Sequence, residues 1–197
     1  YQDQIADYAW EFNLVKSDQV NAFCMPGGKI VVYEGILPYT RDETGLAVVL
    51  GHEVAHAVAK HANERMSTQV AAQMGGTALT AALNNQSDQT KSIATAVYGL
   101  GAQYGVMLPY SRKQELEADE LGLIFMAMAG YDPRQAGDFW VRMSQNGGST
   151  PEIMSTHPSD ERRITEIQKH LSKALTYYKG AGTVNQGSSK TSDKWKF

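Results

Sequence analysis

The first third of the chain contains a stretch of apolar residues at helical spacing. Its apolar members are Leu46, Val49, Leu50, Val54 and Val58. This spacing, without an intervening proline, predicts a buried helix over residues 43–60. The preceding residues 40–43 have the pattern of a capping box, and Gly45 and Gly51 should each cost about 1 kcal/mol relative to alanine. Because burying polar side chains is costly, a buried helix that also carries histidine and glutamate is expected to have a role for these side chains.

Upstream of this helix, three short segments have the composition and alternation of strands. The predicted strands cover residues 10–15, 23–25 and 30–33, and the last two flank Pro26-Gly27-Gly28, which favours a hairpin. We therefore expect a small antiparallel sheet beside the helix. An exposed edge of that sheet can hold an extended peptide through main-chain hydrogen bonds.

The second half of the chain is predominantly helical by the same criteria. One helix is predicted over 111–130, where Gly130 ends it, and another begins at Asp132-Pro133 and stops before the glycine-rich break at 146–148. A last helix is predicted over 160–178. Together with the sheet, this pattern predicts an α+β fold that is mainly helical.

Residues 66–110 differ from the rest of the chain, because Asp88 and Lys91 are their only charged residues. The segment is rich in alanine, glycine, threonine and glutamine, and a polar break at 84–88 divides it. This composition predicts two small-residue helices that form a lid or helical hairpin over a cleft. Peripheral contact with a membrane, or self-association through these helices, is the alternative.

Composition and charge narrow the class of protein. The 197 residues suit one domain, here residues 1–179, while residues 180–197 have the composition of a flexible tail. A net charge of −3 leaves no basic footprint for nucleic acid. Cys24 is the only cysteine, which excludes an internal disulfide. No uninterrupted apolar run has the length that a transmembrane helix needs.

The strongest chemical signal is the motif His52-Glu53-Val54-Ala55-His56. On an α-helix its two histidines lie on one face, where they can bind one metal ion. Glu53 lies beside that face, where its carboxylate can take a proton from the attacking water of a hydrolytic reaction. His61 lies nine positions past His52. That separation is about half a turn around the same helix, so His61 is expected to be structural or at the surface.

Two histidines do not complete a catalytic zinc site, which usually has three protein ligands and an open position for water. Glu115 and Asp119 are four residues apart and share a helical face, whereas Glu117 points about 200° away from Glu115. We expect Glu115 to bind the metal. We expect Asp119 to accept a hydrogen bond from the far nitrogen of a ligating histidine and thereby fix its tautomer. Glu117 remains the alternative ligand.

These motifs, in this order, resemble a known family of zinc metallopeptidases, which includes HtpX, the CAAX prenyl proteases, BepA and the mitochondrial overlapping-activity protease. The likeness rests on the histidine motif at 52–56, on the acidic segment at 111–119 and on the Ser-Thr-His-Pro-Ser sequence at 155–159. An upstream segment at 20–30 is also similar to the Asn-Ala-Phe and Pro-Gly-Gly pattern of that family. The resemblance spans roughly residues 10–164, most of the chain.

The resemblance implies a gluzincin-type site with one Zn²⁺ per chain. Carried across by position, it implies that His52, His56 and Glu115 bind zinc and that Glu53 is the general base. It also implies that His157 and Arg163 are active-site residues contributed by the C-terminal part of the chain.

The roles of these two C-terminal residues stay open in the sequence. His157 can donate a hydrogen bond to the oxyanion of the tetrahedral intermediate, or it can be a fourth zinc ligand that blocks the water position, as the resemblance to BepA suggests. Arg163 can add positive charge toward the oxyanion, or it is an ordinary solvated arginine on a helix.

The predicted activity is zinc-dependent hydrolysis of peptide bonds, in a site that is either ready or self-inhibited by His157. The alternative is a zinc-containing chaperone or assembly factor with a latent protease site. The resemblance implies polypeptide substrates among misfolded, envelope or membrane-associated proteins. It also implies a location in the bacterial periplasm or cell envelope, with any membrane anchor outside this sequence.

Overall fold

The computed structural model describes residues 7–145, 152–157 and 161–180. The strands are β1 (Glu11–Val15), β2 (Ala22–Met25) and β3 (Lys29–Tyr33). The helices are α1 (Leu37–Thr40), α2 (Glu43–Val58), α3 (His61–Ala82), α4 (Asp88–Ala102), α5 (Leu108–Met128), α6 (Gln135–Gln145), α7 (Glu152–Thr156) and α8 (Glu161–Leu175). The mainly helical α+β fold is therefore confirmed. The predicted break at 146–148 and the predicted tail beyond Gly180 lie outside the described residues.

The three strands form one sheet in the order β1-β3-β2. β2 and β3 make the predicted antiparallel hairpin, whose turn contains Gly27 and Gly28 at φ values of 90° and 93°. β1, however, runs parallel to β3, with Phe12 beside Ile30. The sheet is mixed rather than wholly antiparallel, because the connection at 16–21 reverses the chain and leaves room for β3 between β1 and β2. Side-chain alternation predicts a strand but not the direction of its neighbour.

The helix predicted from the apolar repeat is α2. It begins at Glu43 with Asp42 as its N-cap, and the Asp42 carboxylate accepts a hydrogen bond from the Gly45 backbone N–H at 2.8 Å. The predicted capping box placed the cap at Thr40, which was wrong by two residues. Thr40 instead ends α1, where its hydroxyl donates to the Leu37 carbonyl.

Helices α2 and α5 cross at two glycines. A Cβ atom added to Gly51 would lie 2.8 Å from the Gly122 carbonyl oxygen, and one added to Gly122 would lie 2.9 Å from the His52 nitrogen. Contacts this short leave no space for a larger side chain in a close-packed interior. Gly51 is thus more than a tolerated interruption of a helix, because it allows α5 to approach α2 directly beside His52.

The hydrophobic core lies around α2, between the sheet and the helices α5, α6 and α8. Its members include Ile30, Ile36, Val49, Leu123, Phe139, Trp140 and Ile167. β3 contributes its buried Ile30 and Val32 to this core, whereas all five residues of β1 are exposed. The core therefore holds α2 and α5 against one another. The edge strands of the sheet are β1 and β2.

The remaining helices lie within a few residues of their predicted bounds. α5 begins three residues earlier than predicted, and the chain leaves it at Gly130, whose φ is 87°. α6 begins at Gln135, two residues after Pro133, and α8 ends at Leu175. No helix in the described parts of the chain combines the length and apolar character needed to cross a bilayer.

Residues 61–107 form a helical hairpin, with α3 and α4 joined by a turn that Ser87 caps. Its exposed large apolar residues are Met66, Val70, Met74, Ile93, Val97, Leu100, Tyr104 and Val106. Of its helical residues only His61 is buried, while α4 buries none. Two helices lie where they were expected. Their roles as a lid, as a membrane contact or in self-association stay predictions.

Candidate metal centre

α2 supplies the first three groups of the candidate site, His52, Glu53 and His56, and all three are buried. The two histidines are one helical turn apart, and their Nε2 atoms lie 3.1 Å from one another. This convergence is the geometry that the four-residue spacing predicts. α2 therefore presents two imidazole nitrogens to one point inside the protein.

α5 adds a carboxylate at the same point. Oε2 of Glu115 lies 3.2 Å from His52 Nε2, and its Oε1 lies 3.3 Å from His56 Nε2. Tetrahedral zinc with bonds of about 2.0–2.1 Å places its ligand atoms roughly 3.3 Å apart. The separations in the protein are 3.1 Å between the two histidine nitrogens and 3.2 and 3.3 Å from these nitrogens to the two different oxygens of Glu115, which is close to that spacing. The donor types and their distances thus fit a zinc ion.

His157 approaches this donor set from the C-terminal part of the chain, immediately after α7. Its Nδ1 lies 3.2 Å from His52 Nε2 and 2.9 Å from Glu115 Oε2, while its Nε2 lies 3.4 Å from Glu53 Oε1. One donor atom each from His52, His56, Glu115 and His157 falls within 4.8 Å of the others. His157 is therefore close enough to act on the metal, on Glu53 or on a substrate held between them.

Asp119 and Arg163 lie on the side of His52 that faces away from the donor set. Nδ1 of His52 lies 2.9 Å from Asp119 Oδ1, the contact expected of a carboxylate that fixes a histidine tautomer. Nε and Nη2 of Arg163 each donate to the Asp119 carboxylate at 2.7 Å, and Nη1 donates to the His157 carbonyl at 3.1 Å. Arg163 is only 3% exposed and stacks 4.2 Å above the Trp140 ring. Arg163 is therefore not a solvated arginine on a helix. Its contacts favour a role in positioning Asp119 and His157 over direct contact with an oxyanion.

The charges of the site suit a cation at its centre. Burial alone would lower the pKa of His52, but hydrogen bonds with Asp119 and Glu115 raise it to about 9. Burial lowers the pKa of His56 to about 3. Burial would raise the pKa of Glu115, but hydrogen bonds with His157, His52 and His56 hold that pKa well below its usual range. Glu115 is thus ionised and His56 neutral, as metal ligation requires, whereas His52 must release a proton when a metal ion binds.

Glu53 differs from the other buried carboxylates. Burial raises its pKa, and its Oε1 has no hydrogen-bond partner among the described residues. Glu53 also lines a cavity of about 420 Å³ together with His56, His157 and three residues of β2. A buried carboxylate oxygen without a partner, beside a cavity and a metal donor set, is well placed to hold a water molecule.

Sequence reasoning missed the close contact of His61 with the site. Nδ1 of His61 lies 2.8 Å from His56 Nδ1, and the residue is 1% exposed. The half-turn argument assumed one continuous helix, but α2 ends at Val58 and Lys60 adopts a left-handed conformation with φ 58°. The chain therefore turns back toward α2. The interpretation of His61 as a surface residue is wrong, because it is buried beside His56.

Two further residues at the site were also missed. Nη2 of Arg65 lies 3.3 Å from Glu115 Oε1, and its Nε donates to the buried Gln114 side chain at 2.8 Å. The available signals were weak: Arg65 is the last charged residue before the nearly uncharged segment, and Gln114 adjoins Glu115. Glu117, the alternative ligand, stands outside the donor set and faces His61 at 3.5 Å.

A helix that carries His-Glu-x-x-His, with a glutamate donor from a second helix, is the arrangement of the metallopeptidase class that this motif defines. The chain belongs to peptidase family M48, whose family model matches residues 2–171. The resemblance seen in the sequence motifs is therefore confirmed.

Curated relatives agree with this assignment. The chain is 37% identical over 173 residues to the mitochondrial metalloendopeptidase OMA1 of Schizosaccharomyces pombe, covering 86% of this chain and 49% of the relative. It is 38% identical over 187 residues to mitochondrial metalloendopeptidase OMA1 of Arabidopsis thaliana, covering 87% and 34%. It is 27% identical over 173 residues to the beta-barrel assembly-enhancing protease of Escherichia coli, covering 83% and 35%. The chain thus spans half or less of the length of these relatives.

Proposed function

We propose that this chain is a zinc-dependent endopeptidase domain of the gluzincin type. The observation that carries the proposal is the convergence of His52, His56 and Glu115 at separations close to those of a tetrahedral zinc site, next to the buried Glu53 carboxylate, whose Oε1 makes no hydrogen bond among the described residues. Membership of family M48 and the names of the relatives, which are metalloendopeptidases and a protease, support the same activity.

The chemistry divides between the metal and the protein. When bound, zinc polarises the scissile carbonyl and lowers the pKa of the attacking water. Glu53 accepts the proton of that water and later delivers it to the leaving amine. Burial raises the pKa of Glu53, which suits a carboxyl group that must hold a proton between two steps. Asp119 orients His52, and Arg163 holds Asp119 in place.

The polypeptide substrate would bind along β2. This strand is an edge of the sheet, and its residues Ala22, Phe23 and Cys24 line the cavity that contains Glu53. An extended peptide can pair with a free strand edge through main-chain hydrogen bonds, which places its carbonyls without requiring a particular sequence. Such tolerance suits misfolded, envelope or membrane-associated protein substrates.

The names of the relatives bear on location. One relative is a beta-barrel assembly-enhancing protease, and this supports a place in the bacterial cell envelope or periplasm. Other relatives are named as mitochondrial enzymes. Within the proposal, the domain acts in an envelope compartment.

The activity is tested with Glu53→Gln. We expect this variant to keep its zinc and its fold and to lose cleavage of a denatured protein by at least about 100-fold, because removing a general base typically costs 10²–10⁴-fold. Glu43→Gln is the matched control, since it makes the same change at the exposed start of the same helix. Undiminished cleavage by Glu53→Gln, with Glu43→Gln also active, would contradict the assignment of Glu53.

A chaperone or assembly factor with a latent site is the second candidate function. The position of His157 favours it, because Nδ1 of His157 lies within 3.2 Å of two members of the donor set and can close the fourth zinc position. In the protease proposal the same contact makes His157 a removable inhibitor.

His157→Ala separates these two functions. We expect the variant to bind one zinc ion and to cleave a denatured protein faster than the parent chain, because the fourth position is then free for water. Zinc content and cleavage rate are measured on the same preparation. Full zinc content with no cleavage before or after the substitution would support the non-enzymatic function instead.

A further inference from the structure

Each of the two candidate histidine ligands has a second ring nitrogen that points away from the metal position. For His52 that nitrogen faces Asp119 at 2.9 Å, the contact that the sequence predicted. For His56 it faces His61, whose Nδ1 lies 2.8 Å from His56 Nδ1. The partner of His56 is therefore another histidine and not a carboxylate.

We propose that His61 is a positioning residue that fixes the tautomer and orientation of His56 and thereby sets the affinity of the site for zinc. The inference rests on the proposed zinc site. In this arrangement His56 donates its Nδ1–H to Nδ1 of His61. The lone pair of His56 Nε2 then stays free for the metal.

The direction of this hydrogen bond follows from the contacts of His56. Arg65 also approaches its Nδ1, but at 3.4 Å, against 2.8 Å for His61. A donor from Arg65 would require a lone pair on Nδ1 and would leave the proton on Nε2, which faces His52 Nε2 and Glu115. A protonated Nε2 cannot bind a metal. The shorter contact with His61 is the one compatible with ligation.

The second ring nitrogen of His61 extends this chain of contacts toward Glu117. Since its Nδ1 accepts from His56, its own proton lies on Nε2, and Glu117 Oε2 lies 3.5 Å from that nitrogen, beyond the usual length of a hydrogen bond. This buried Nε2 makes no shorter polar contact among the described residues. Glu117 is thus the nearest acceptor to the end of a chain of contacts that runs from the metal position through His56 and His61.

The backbone around His61 agrees with a dedicated role. Lys60 is one of two non-glycine residues with positive φ in the described parts of the chain, and that conformation costs about 1–2 kcal/mol for an L-residue. The turn at Lys60 ends α2 and begins α3, so that His61 folds back onto His56. A buried histidine with one unsatisfied nitrogen carries a further cost. If packing were the only requirement, a hydrophobic residue at this position would make the folded state more stable.

The test compares His61→Leu with His61→Asn. Leucine preserves most of the buried volume but cannot accept a hydrogen bond, while the side-chain oxygen of asparagine can stand close to the former Nδ1. We expect His61→Leu to weaken zinc affinity by about 10- to 100-fold and His61→Asn to recover most of that loss. Zinc affinity is measured by competition with a chelator, and thermal unfolding of the metal-free proteins shows that each is folded.

His170→Leu is the control, because His170 lies on α8 outside the donor set and should bind zinc like the parent chain. Parent-like affinity in His61→Leu, or equal weakening in His61→Leu and His61→Asn, would overturn the inference. If the parent chain itself bound no zinc, the proposed function would fail, and not this step alone.

Glu117 provides a second test that does not disturb a buried residue. Its side chain is 42% exposed, so substitutions there should fold. Glu117→Ala is expected to weaken zinc affinity several-fold, whereas Glu117→Gln, which keeps an acceptor oxygen, should stay near the parent value. Equal zinc affinities in the parent chain and both variants would contradict the chain of contacts from His56 through His61 to Glu117. This test decides the matter even where His61→Leu does not fold.

Discussion

Two glutamates on α5 show how strongly the surroundings of a residue determine its role. Glu115 and Glu117 are two positions apart, but the Glu115 side chain is 4% exposed and faces His52 and His56, whereas that of Glu117 is 42% exposed and faces His61. On a helix this separation turns the side chains about 200° apart. Only Glu115 can therefore share a metal ion with the two histidines of α2.

These surroundings predict different zinc contents for two alanine variants. Glu115→Ala removes one of the three proposed ligands and is expected to leave almost no bound zinc after dialysis. Glu117→Ala keeps all three ligands and should retain zinc close to one equivalent per chain. The metal is quantified by inductively coupled plasma mass spectrometry. Equal losses, or the reverse order, would show that the wrong carboxylate has been assigned.

At the scale of single residues, the sequence predicts which side chains share a face of one helix. Four-residue spacings within α2 and α5 predict that His52 and His56 converge and that Glu115 and Asp119 share one helical face. His61 was placed wrongly because the same periodicity was extended through Lys60, where the helix has already ended. Residue identity at that point gave no signal, since lysine rarely adopts positive φ.

Among the elements, the α2–α5 crossing has the greatest influence on the site. Gly51 and Gly122 allow the two backbones to touch beside His52, and this contact brings Asp119 within hydrogen-bond distance of that histidine. The sequence showed both glycines but not that they meet, because hydrophobic periodicity carries no information on which helices cross. The parallel pairing of β1 with β3 was missed for the same reason.

The crossing predicts the effect of Gly122→Ala. The added methyl group would lie 2.9 Å from the His52 nitrogen, so the helices must separate. Overpacking of this kind costs about 1–3 kcal/mol, and zinc affinity should fall as Asp119 moves away from His52. Thermal unfolding and chelator competition measure the two effects.

Gly137→Ala on α6 is the matched control for this substitution. A Cβ at Gly137 would meet nothing within 4 Å, so we expect a change of at most about 1 kcal/mol, in the stabilising direction. Parent-like stability and zinc affinity in Gly122→Ala would show that the close approach of the two helices is not required.

At the scale of the whole molecule, the donor set joins distant parts of the chain. Its members come from positions 52, 56, 115 and 157, on α2, on α5 and just after α7. Spacing arguments reach only within one helix, so they could not bring these elements together. The placement of His157 and Arg163 depended on the resemblance of ordered motifs to a family. The geometry adds that Arg163 joins Asp119 to the His157 backbone.

A metal ion that bridges these elements should stabilise the whole fold, because it binds the folded chain and finds no such site in the unfolded one. At a free zinc concentration 100 times the dissociation constant, this linkage contributes about 2.7 kcal/mol. For a domain of this size that corresponds to a rise in Tm of roughly 5–10 °C. We therefore expect a chelator to lower the Tm by this amount and added zinc to restore it. His52→Ala should abolish the shift and His170→Leu should keep it. An identical Tm with zinc and with chelator, in a chain shown to bind one zinc ion, would mean that the site does not form part of the cooperative fold.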